Sequence, residues 1–425
     1  MEPRRVAAAL SSRTNEGLQR FFSLDHPIGI LRRLQALSTV ADVATTVALA
    51  GSLFFSISPT EAKSKVALYL ALTVAPFAIV APLLAPAIDR GARFRRGAIV
   101  VSGVGRIMAA LLMSFNVHSV LLFPEALLSL VASKLYLITK AALVPDLLGY
   151  QRTSSEERGA DGARNATSIL VKANANLSLL GAIVGLIGGA IAGGVLKIPF
   201  LGAPWVLRLE IIPLVLLVLQ VPHLRNRTTL DGQRKGSTEY RVPEQATGAR
   251  TESTRQRQRA AGGYSQTLVA SSAMAVLRAG VGFFTFLVAF ELKRQGSHTY
   301  VYALALGASA AGSALATLIT PRIRRVMRES TILVLALLVE AAGALAAAEQ
   351  GSIAAEIALA FLVGLVASGG KLAFDAIVQH HVAAHRHGKT FARYEMRFQL
   401  GWVLGALIPT IVSLPLKTGD VVIAA

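Results

Sequence analysis

Ionisable side chains inside long apolar stretches are the residues of this sequence that could do chemistry. Asp42, Lys134 and Arg278 each lie within an apolar stretch of about 20 residues. A charged group in a membrane helix is costly unless it faces protein, water or an interface, so each is a candidate functional residue. Asp42 could carry a proton or bind a cationic solute; the alternative is a structural hydrogen bond to another helix. Lys134 and Arg278, with Lys371, could form a positive lining for an anionic solute or headgroup.

Lys371 and Asp375 form a second candidate group, because they are four residues apart in one apolar stretch. That spacing places both side chains on one face of a helix, where they can pair. One interpretation adds Lys371 to the positive lining. The other makes the pair a lock close to the end of its helix. Asp375 is within about two turns of that end, which favours the lock.

Other charged residues in or beside the apolar stretches are expected to be less important. Long side chains can extend to the membrane surface, and this is expected of Arg106, Lys140, Lys172 and Arg208. The carboxylates expected at interfaces, near helix ends or at the periphery are Glu125, Glu340 and Glu356.

Several kinds of chemistry are excluded or disfavoured by what the sequence contains. The chain has no cysteine, so disulfides, thiolate catalysis and cysteine metal sites are excluded. We find no phosphate-binding loop, no nucleophile and base arrangement and no zinc-binding helix motif. The histidines at 380, 381, 385 and 387 lack accompanying ligand spacing and are expected in a solvated basic loop near anionic headgroups. No enzyme activity, cofactor or metal site is therefore predicted.

The composition indicates the elements that must position these residues. Of the 425 residues 53% are hydrophobic and only 16% charged, whereas a soluble protein is about a quarter charged. Apolar stretches of about 20 residues are long enough to cross a bilayer as helices. The predicted spans are 34–57, 66–88, 97–115, 120–143, 169–191, 204–221, 268–290, 300–320, 331–348, 353–379 and 398–414. The sequence thus predicts an all-α, polytopic membrane protein with eleven clear spans.

The distribution of basic residues predicts how these spans are oriented. The net charge of +19 would suggest nucleic-acid binding in a soluble protein. Here roughly thirty Lys and Arg fall on one side of the membrane and about five on the other, which indicates the cytoplasmic side. That side contains residues 1–33, the loops after spans 2, 4, 8 and 10, and residues 222–265. A bacterial-type plasma membrane, a cytoplasmic N-terminus and no nucleic-acid partner are predicted.

A polar segment divides the chain into two parts. Residues 222–265 are rich in Arg, Gln, Thr, Ser and Gly and are predicted to form a disordered cytoplasmic linker. Before it lies a six-helix half, 34–221. After it, residues 266–425 hold five spans and, at 421–425, the start of a twelfth, unless eleven spans suffice.

This plan, with a short basic loop after span 2, resembles the major facilitator superfamily. The family motif in that loop is G-x-L-A-D-R-x-G-R-K, and Asp89, Arg90 and Arg93 fall on it, while Ala85 and Ala92 replace its glycines. The resemblance implies two six-helix halves around a central cavity. It also implies a latch between the halves at the cytoplasmic face, in which Asp89 caps a helix N-terminus, most plausibly that of span 11.

A stripe of small residues runs along span 5. Gly181, Gly185, Gly189 and Gly193 are spaced by four, which would let another helix approach closely. The alternative is a coupling role like that of the family's drug–proton antiporters. Their Gly-Pro-Gly-Gly pattern contains a proline that is missing here, so helix packing is favoured.

Together these observations predict a secondary active transporter that exports a small organic compound by alternating access, driven by an ion gradient and with proton coupling as a hypothesis. One alternative is a transporter or flippase for lipid or lysolipid headgroups. Another is a non-transporting scaffold or sensor on the same bundle. The expected partners are a small-molecule or lipid substrate and membrane lipids, and the expected state is a monomer. A water-accessible cavity lined by Asp42, Lys134 and Arg278 would favour transport over a scaffold.

Overall fold

The computed structural model describes residues 27–49, 76, 85–117, 119, 121–148, 159–198, 200–224, 249–294, 299–382 and 386–425. Within these ranges the chain forms helices joined by turns, with no strand. The helices of the first part are α1 (Pro27–Leu49), α2 (Ala85–Ile88), α3 (Ala92–Phe115), α4 (Leu122–Leu147), α5 (Gly159–Leu196) and α6 (Gly202–Gln220), which a 3₁₀ turn (Val221–Leu224) extends. The helices of the second part are α7 (Ala249–Arg294), α8 (Thr299–Ile323), α9 (Glu329–Gln350), α10 (Ile353–His381), α11 (His387–Ile411) and α12 (Leu416–Ala424).

The predicted all-α membrane protein is confirmed. Eight described helices, α3 to α10, are long and apolar enough to cross a bilayer. Helices α1 and α11 are long but more polar, and most of span 2 lies outside the described residues, so the count of eleven spans stays a prediction. Helix α12 has nine residues, whereas a crossing helix needs about 20.

Two predicted boundaries are wrong. Helix α7 begins at Ala249, so 249–265 is helical where a disordered linker was predicted. This segment is rich in Arg, Ala and Gln, which favour helix even without an apolar face. Residues 225–248 of the predicted linker lie outside the described residues. Helix α11 begins at His387 rather than at 398, so much of the predicted histidine loop belongs to α10 and α11.

The two parts of the chain meet in one apolar cluster. Ile88, Leu135 and Ile138 of the first part pack with Leu277 and Phe374 of the second. All five side chains are buried, and burying such a side chain stabilises by about 1.5–3 kcal/mol. The cluster closes the contact between the parts on the side that the charge distribution predicts to be cytoplasmic.

Glycines allow the closest helix crossings of the second part. A Cβ on Gly312 of α8 would lie 2.0 Å from the carbonyl oxygen of Phe361 on α10, and a Cβ on Gly364 of α10 would lie 2.0 Å from that of Ser309 on α8. At α7 and α11, a Cβ on Gly405 would lie 2.0 Å from the carbonyl oxygen of Ala279. Any larger side chain would push these backbones apart.

The glycine stripe on α5 packs largely as predicted. Gly181, Gly185 and Gly189 face α1, and their nearest neighbours there are Gln35, Thr39 and Val43. Gly193 has no neighbour within 4 Å among the described residues, so its part in the stripe stays a prediction. Gly188 instead adds a contact, because a Cβ there would lie 3.5 Å from the Cα of Val40. The stripe therefore holds α5 against α1.

Candidate functional site

A polar cavity of about 320 Å³ opens between α1 and α4. Ser133 and Lys140 of α4 are seven residues apart, so their side chains lie on one face of that helix. The polar lining includes Ser38, Asp42 and Thr45 from α1 and Ser133, Lys134 and Lys140 from α4. Two of the predicted residues, Asp42 and Lys134, therefore line one cavity.

Asp42 is held at the cavity wall by a cation and hydroxyl groups. Its side chain is 41% exposed, and its Oδ1 lies 3.0 Å from Nη2 of Arg106 on α3. Ser133 of α4 donates a 2.7 Å hydrogen bond to Oδ1, and Ser38 donates a longer one of 3.4 Å to Oδ2. A carboxylate with a charged partner and a short hydroxyl bond is well stabilised. This contact joins three helices.

Arg106 was wrongly expected to reach the membrane surface. Its side chain is only 1% exposed, and besides Asp42 it donates to the hydroxyl and the carbonyl oxygen of Ser38 at 3.0 and 3.3 Å. It lies about 20 Å along α3 at 1.5 Å per residue, too deep for an easy escape to an interface. The same prediction for Lys140 is also wrong, because Lys140 lines the cavity.

Of the other two residues expected at the surface, Lys172 is exposed, as predicted, and Arg208 is half-buried. The guanidinium of Arg208 lies 5.4 Å from the ring centre of Phe115 and 5.2 Å from that of Trp205.

Glu210 of α6 is a buried acid that the sequence analysis did not single out. It is 1% exposed, and Thr45 donates a 2.7 Å hydrogen bond to its Oε2. Its other oxygen, Oε1, has no hydrogen-bond partner among the described residues. The criterion that selected Asp42, an acid within an apolar span, applies equally to Glu210 and could have found it.

Charged residues of the second part complete an electrostatic network around Lys134. Lys134 interacts with Asp42, with Arg278 on α7 and with Glu395 on α11. Arg278 is not among the residues that line the cavity, so the three predicted candidates do not all share it. Arg278 instead joins the network through Lys134 and Glu395.

The predicted pair Lys371–Asp375 is present and has a third member. Nζ of Lys371 lies 2.5 Å from Oδ1 of Asp375, and it also forms a salt bridge with Glu395. The same ammonium group lies 6.0 Å from the ring centre of Phe374. Lys140 interacts with Lys371 and Asp375 from the first part of the chain. Glu395 was missed because span 11 was predicted to begin after it.

Asp89 joins the two parts at the N-terminus of α11. The backbone N–H of Gly388 donates a 2.7 Å hydrogen bond to Oδ1, and that of Lys389 donates a 3.0 Å bond to Oδ2. The first N–H groups of a helix have no partner inside it, and the helix dipole favours an anion there. The resemblance predicted this contact with span 11, whereas the gating role of Asp89 stays a prediction.

Arg95, and not Arg90 or Arg93, supports the loop that carries Asp89. Arg90 and Arg93 are exposed. Arg95 is buried and donates to the carbonyl oxygens of Ile88 and Ala142 at 3.2 and 3.3 Å, and it forms a salt bridge with Asp146 of α4. Its contacts fix the end of α2 against α4. The motif match could not reveal this, because Arg95 lies outside the matched positions.

Solved structures of membrane transporters have a similar architecture. The bacterial homologue of the iron transporter ferroportin, in an outward-facing state, superposes with a TM-score of 0.64 over 94% of this chain and 96% of its own, at 16% identity. FucP, a major facilitator superfamily transporter in the outward conformation, gives 0.62 over 94% and 95%, at 12% identity. The human organic anion transporter MFSD10 gives 0.60 over 95% and 97%, at 14% identity.

The chain has the major facilitator superfamily fold. No family model matches the sequence. Among curated proteins, an uncharacterized protein of Mycobacterium leprae is 30% identical over 417 residues, which cover 90% of this chain and 66% of that protein. An uncharacterized protein of Mycobacterium tuberculosis is 38% identical over 162 residues, 36% of this chain and 26% of its own length. The chain thus spans just under two thirds of the first relative and about a quarter of the second.

Within the major facilitator superfamily fold, α1 to α6 and α7 to α12 are the two halves, and further polar contacts cross between them beside Asp89. Asn174 of α5 donates a 2.9 Å hydrogen bond to the side-chain oxygen of Gln379 on α10. Gln379 donates in turn to the carbonyl oxygen of Ala141 on α4 at 3.0 Å. Both bonds and the Asp89 cap lie on one side of the charge network.

Replacing Asp89 with alanine is expected to weaken the closed contact on this side. Loss of a capping carboxylate costs about 0.5–2 kcal/mol, which changes the ratio of closed to open states several-fold. Because the chain contains no cysteine, a cysteine introduced at Ala141 can report access through labelling with an impermeant maleimide. Asp89→Ala should increase labelling from that side. Arg93→Ala, which changes an exposed residue of the same loop, should not, and equal rates in both variants would contradict the latch.

Proposed function

We propose that this chain is a secondary active transporter that moves a small organic anion across the cell membrane by alternating access. The observation that carries this proposal is one polar cavity beside a charge network to which both halves contribute. The fold is that of known membrane transporters. Transport by alternating access needs a site that both halves reach. The cavity lies in the first half, between α1 and α4, and the charge interactions of Lys134 and Lys140 connect it to α7, α10 and α11 of the second.

The sign of the charge at the cavity favours an anion. Lys134 and Lys140 line the cavity. Asp42 is the one acid among its described lining residues, and Arg106 already neutralises it. An anionic group entering the cavity therefore meets two ammonium groups and no unpaired carboxylate. Charge-assisted hydrogen bonds to such groups contribute about 1.5–3 kcal/mol each.

The size and polarity of the cavity help to distinguish a small-molecule transporter from a scaffold and from a lipid-headgroup transporter. A volume of about 320 Å³ suits a small molecule or a single headgroup, since ligand sites begin at about 300 Å³. A scaffold would be expected to fill this space with apolar side chains alone, whereas hydroxyl, amide and ammonium groups share the lining with leucines. The headgroup of a lipid or lysolipid offers the same anionic chemistry and is the second candidate.

We also propose a direction and a coupling ion for this transport. The closed contacts lie on the side of Asp89, Asn174 and Gln379. We infer that this side is cytoplasmic and that opening it exchanges the cavity between the two faces of the membrane. The N-terminus would then be cytoplasmic as well. We further propose that the chain exports its substrate and that an ion gradient drives this export, with Asp42 as the proton-coupling residue.

Lys134→Gln is expected to weaken binding of organic anions at least tenfold, because it removes a cation that lines the cavity. Binding is measured by screening a panel of compounds for thermal stabilisation of the purified full chain, since a ligand that binds the folded state raises the unfolding temperature. Organic carboxylates, soluble phosphomonoesters, lysophospholipids and cations of matched size form the panel.

Lys172→Gln is the matched control, because it removes the same charge from an exposed position on α5. It should keep the affinity of the unmodified protein. Stabilisation by lysophospholipids alone would favour the headgroup transporter. No stabilisation by any anion, or equal stabilisation of both variants, would contradict an anion site at Lys134.

A further inference from the structure

Arg106 lies between two carboxyl groups of the first half. On its cavity side it forms the 3.0 Å ion pair with Asp42, which is 41% exposed. On its other side Glu210 is within electrostatic range and is 1% exposed. Thr45 connects the two environments, because its hydroxyl binds Glu210 while the residue itself lines the cavity.

One guanidinium cannot neutralise two carboxylates. If both acids were ionised, the group would hold a net negative charge, part of it on a fully buried Glu210. A buried charge without a partner is far more costly than a buried neutral carboxyl group with a hydrogen bond. The pairing of Arg106 with Asp42 therefore leaves Glu210 as the acid that carries a proton.

Among the described residues, Arg106 and Asp42 are the charged groups that act on Glu210. Helix α6 packs against α1, α3 and α5. Among the described side chains of α5 the one charged residue is Lys172, which is exposed. On α6 itself, Arg208 is occupied by Ser114 and by the rings of Phe115 and Trp205.

Unused hydrogen-bonding groups show that a second arrangement is available. Nε of Arg106 and Oε1 of Glu210 are both buried and have no partner among the described residues. A guanidinium carries five N–H donors in a fixed fork, so a turn of the Arg106 side chain can offer them to Glu210. In that arrangement Asp42 would lose its cation and would take up the proton.

We propose that Asp42 and Glu210 form a two-carboxyl proton relay around Arg106, in which the acid paired with Arg106 is ionised and the other is protonated. When Arg106 changes partner, the O–H bond of Glu210 breaks and an O–H bond forms on Asp42. The charge of the three residues stays constant during the exchange. The protonated Asp42, which lines the cavity, then exchanges its proton with water there. This proposal rests on the proposed transport function and adds Glu210 and Arg106 to its coupling machinery.

Infrared spectroscopy of the full chain in lipid vesicles tests the relay without any solute. A protonated carboxyl group has a C=O stretching band that a carboxylate lacks. We expect the difference between the unmodified protein and Glu210→Gln to contain this band at neutral pH. We also expect Asp42→Asn to abolish it, because Arg106 then pairs with Glu210 and ionises it.

The decisive result is the effect of Asp42→Asn on the Glu210 band. Asp42 is ionised in the unmodified protein and has no such band, so loss of the band in this variant means that Glu210 has lost its proton. A Glu210 band that persists in Asp42→Asn would overturn the exchange of partners, and absence of the band from the unmodified protein would overturn the proton on Glu210. Glu340→Gln, which removes another buried acid, on α9, should leave both observations intact. If Glu210→Gln does not fold, Glu210→Asp keeps the acid and must shift the band.

The relay and the anion site can fail separately. The infrared experiment needs no bound solute, so a negative anion screen leaves its result unaffected. Loss of the relay would in turn leave the contrast between Lys134→Gln and Lys172→Gln intact.

Discussion

Arg106→Met is expected to destabilise the protein by about 3 kcal/mol and to abolish transport. Removing one member of a buried ion pair costs about 3–5 kcal/mol, because the remaining charge loses its partner. The partial exposure of Asp42 places the effect at the lower end of that range. The change also removes both hydrogen bonds from Arg106 to Ser38, which join α3 to α1.

Unfolding of the purified protein in detergent measures this loss of stability. Arg208→Met is the matched control, because Arg208 stacks on Phe115 and Trp205, and its loss should cost no more than about 1 kcal/mol. The double variant Arg106→Met with Asp42→Asn should recover part of the stability but no transport. Equal stability of the Arg106 and Arg208 variants would show that the buried pair contributes little.

Gly312→Val is expected to prevent correct assembly of the second half. Its Cβ would lie 2.0 Å from the carbonyl oxygen of Phe361, which is backbone and cannot turn away. Helices α8 and α10 would have to separate, and since Gly364 and Ser309 form the reciprocal contact, that contact would be lost as well. Overpacking of a core costs about 1–3 kcal/mol, and a backbone clash exceeds that range.

Gly307→Val provides a matched control on the same helix. A Cβ there has no neighbour within 4 Å among the described residues, so this variant should remain folded. The measurement is the fraction of protein that elutes as a monodisperse species after extraction, followed by its unfolding temperature. If both valine variants behave alike, the close crossing of α8 and α10 does not determine assembly.

The all-helical membrane fold could be predicted because it follows from composition. The direction in which each side chain points around its helix could not. Both lipid and protein interior are apolar, so a membrane helix lacks the amphipathic pattern that shows which face is buried. Arg106, Lys140 and Lys172 therefore looked the same, although Arg106 is buried against Asp42, Lys140 lines the cavity and Lys172 is exposed. Gly181, Gly185 and Gly189 could be predicted because their spacing marks a face without any help from polarity.

Most features that could not be predicted from the sequence depend on contacts between distant parts of the chain. Helix α11 begins at His387 because its first N–H groups meet Asp89, which lies 299 residues before Gly388. The polarity of the segment before residue 398 instead suggested a loop, so Glu395 was not included in the predicted span. Only the motif resemblance anticipated the contact, since it related a loop to a helix end without requiring a local signal.

The cap at α11 recognises main chain and not side chains. Asp89 receives its hydrogen bonds from the amides of Gly388 and Lys389, and every amino acid except proline supplies such an amide. The contact therefore requires the carboxylate of Asp89 but no particular side chain at position 389, which is exposed. Side chains of different polarity can occupy that position without altering how the two halves are joined, whereas Gly388 is buried.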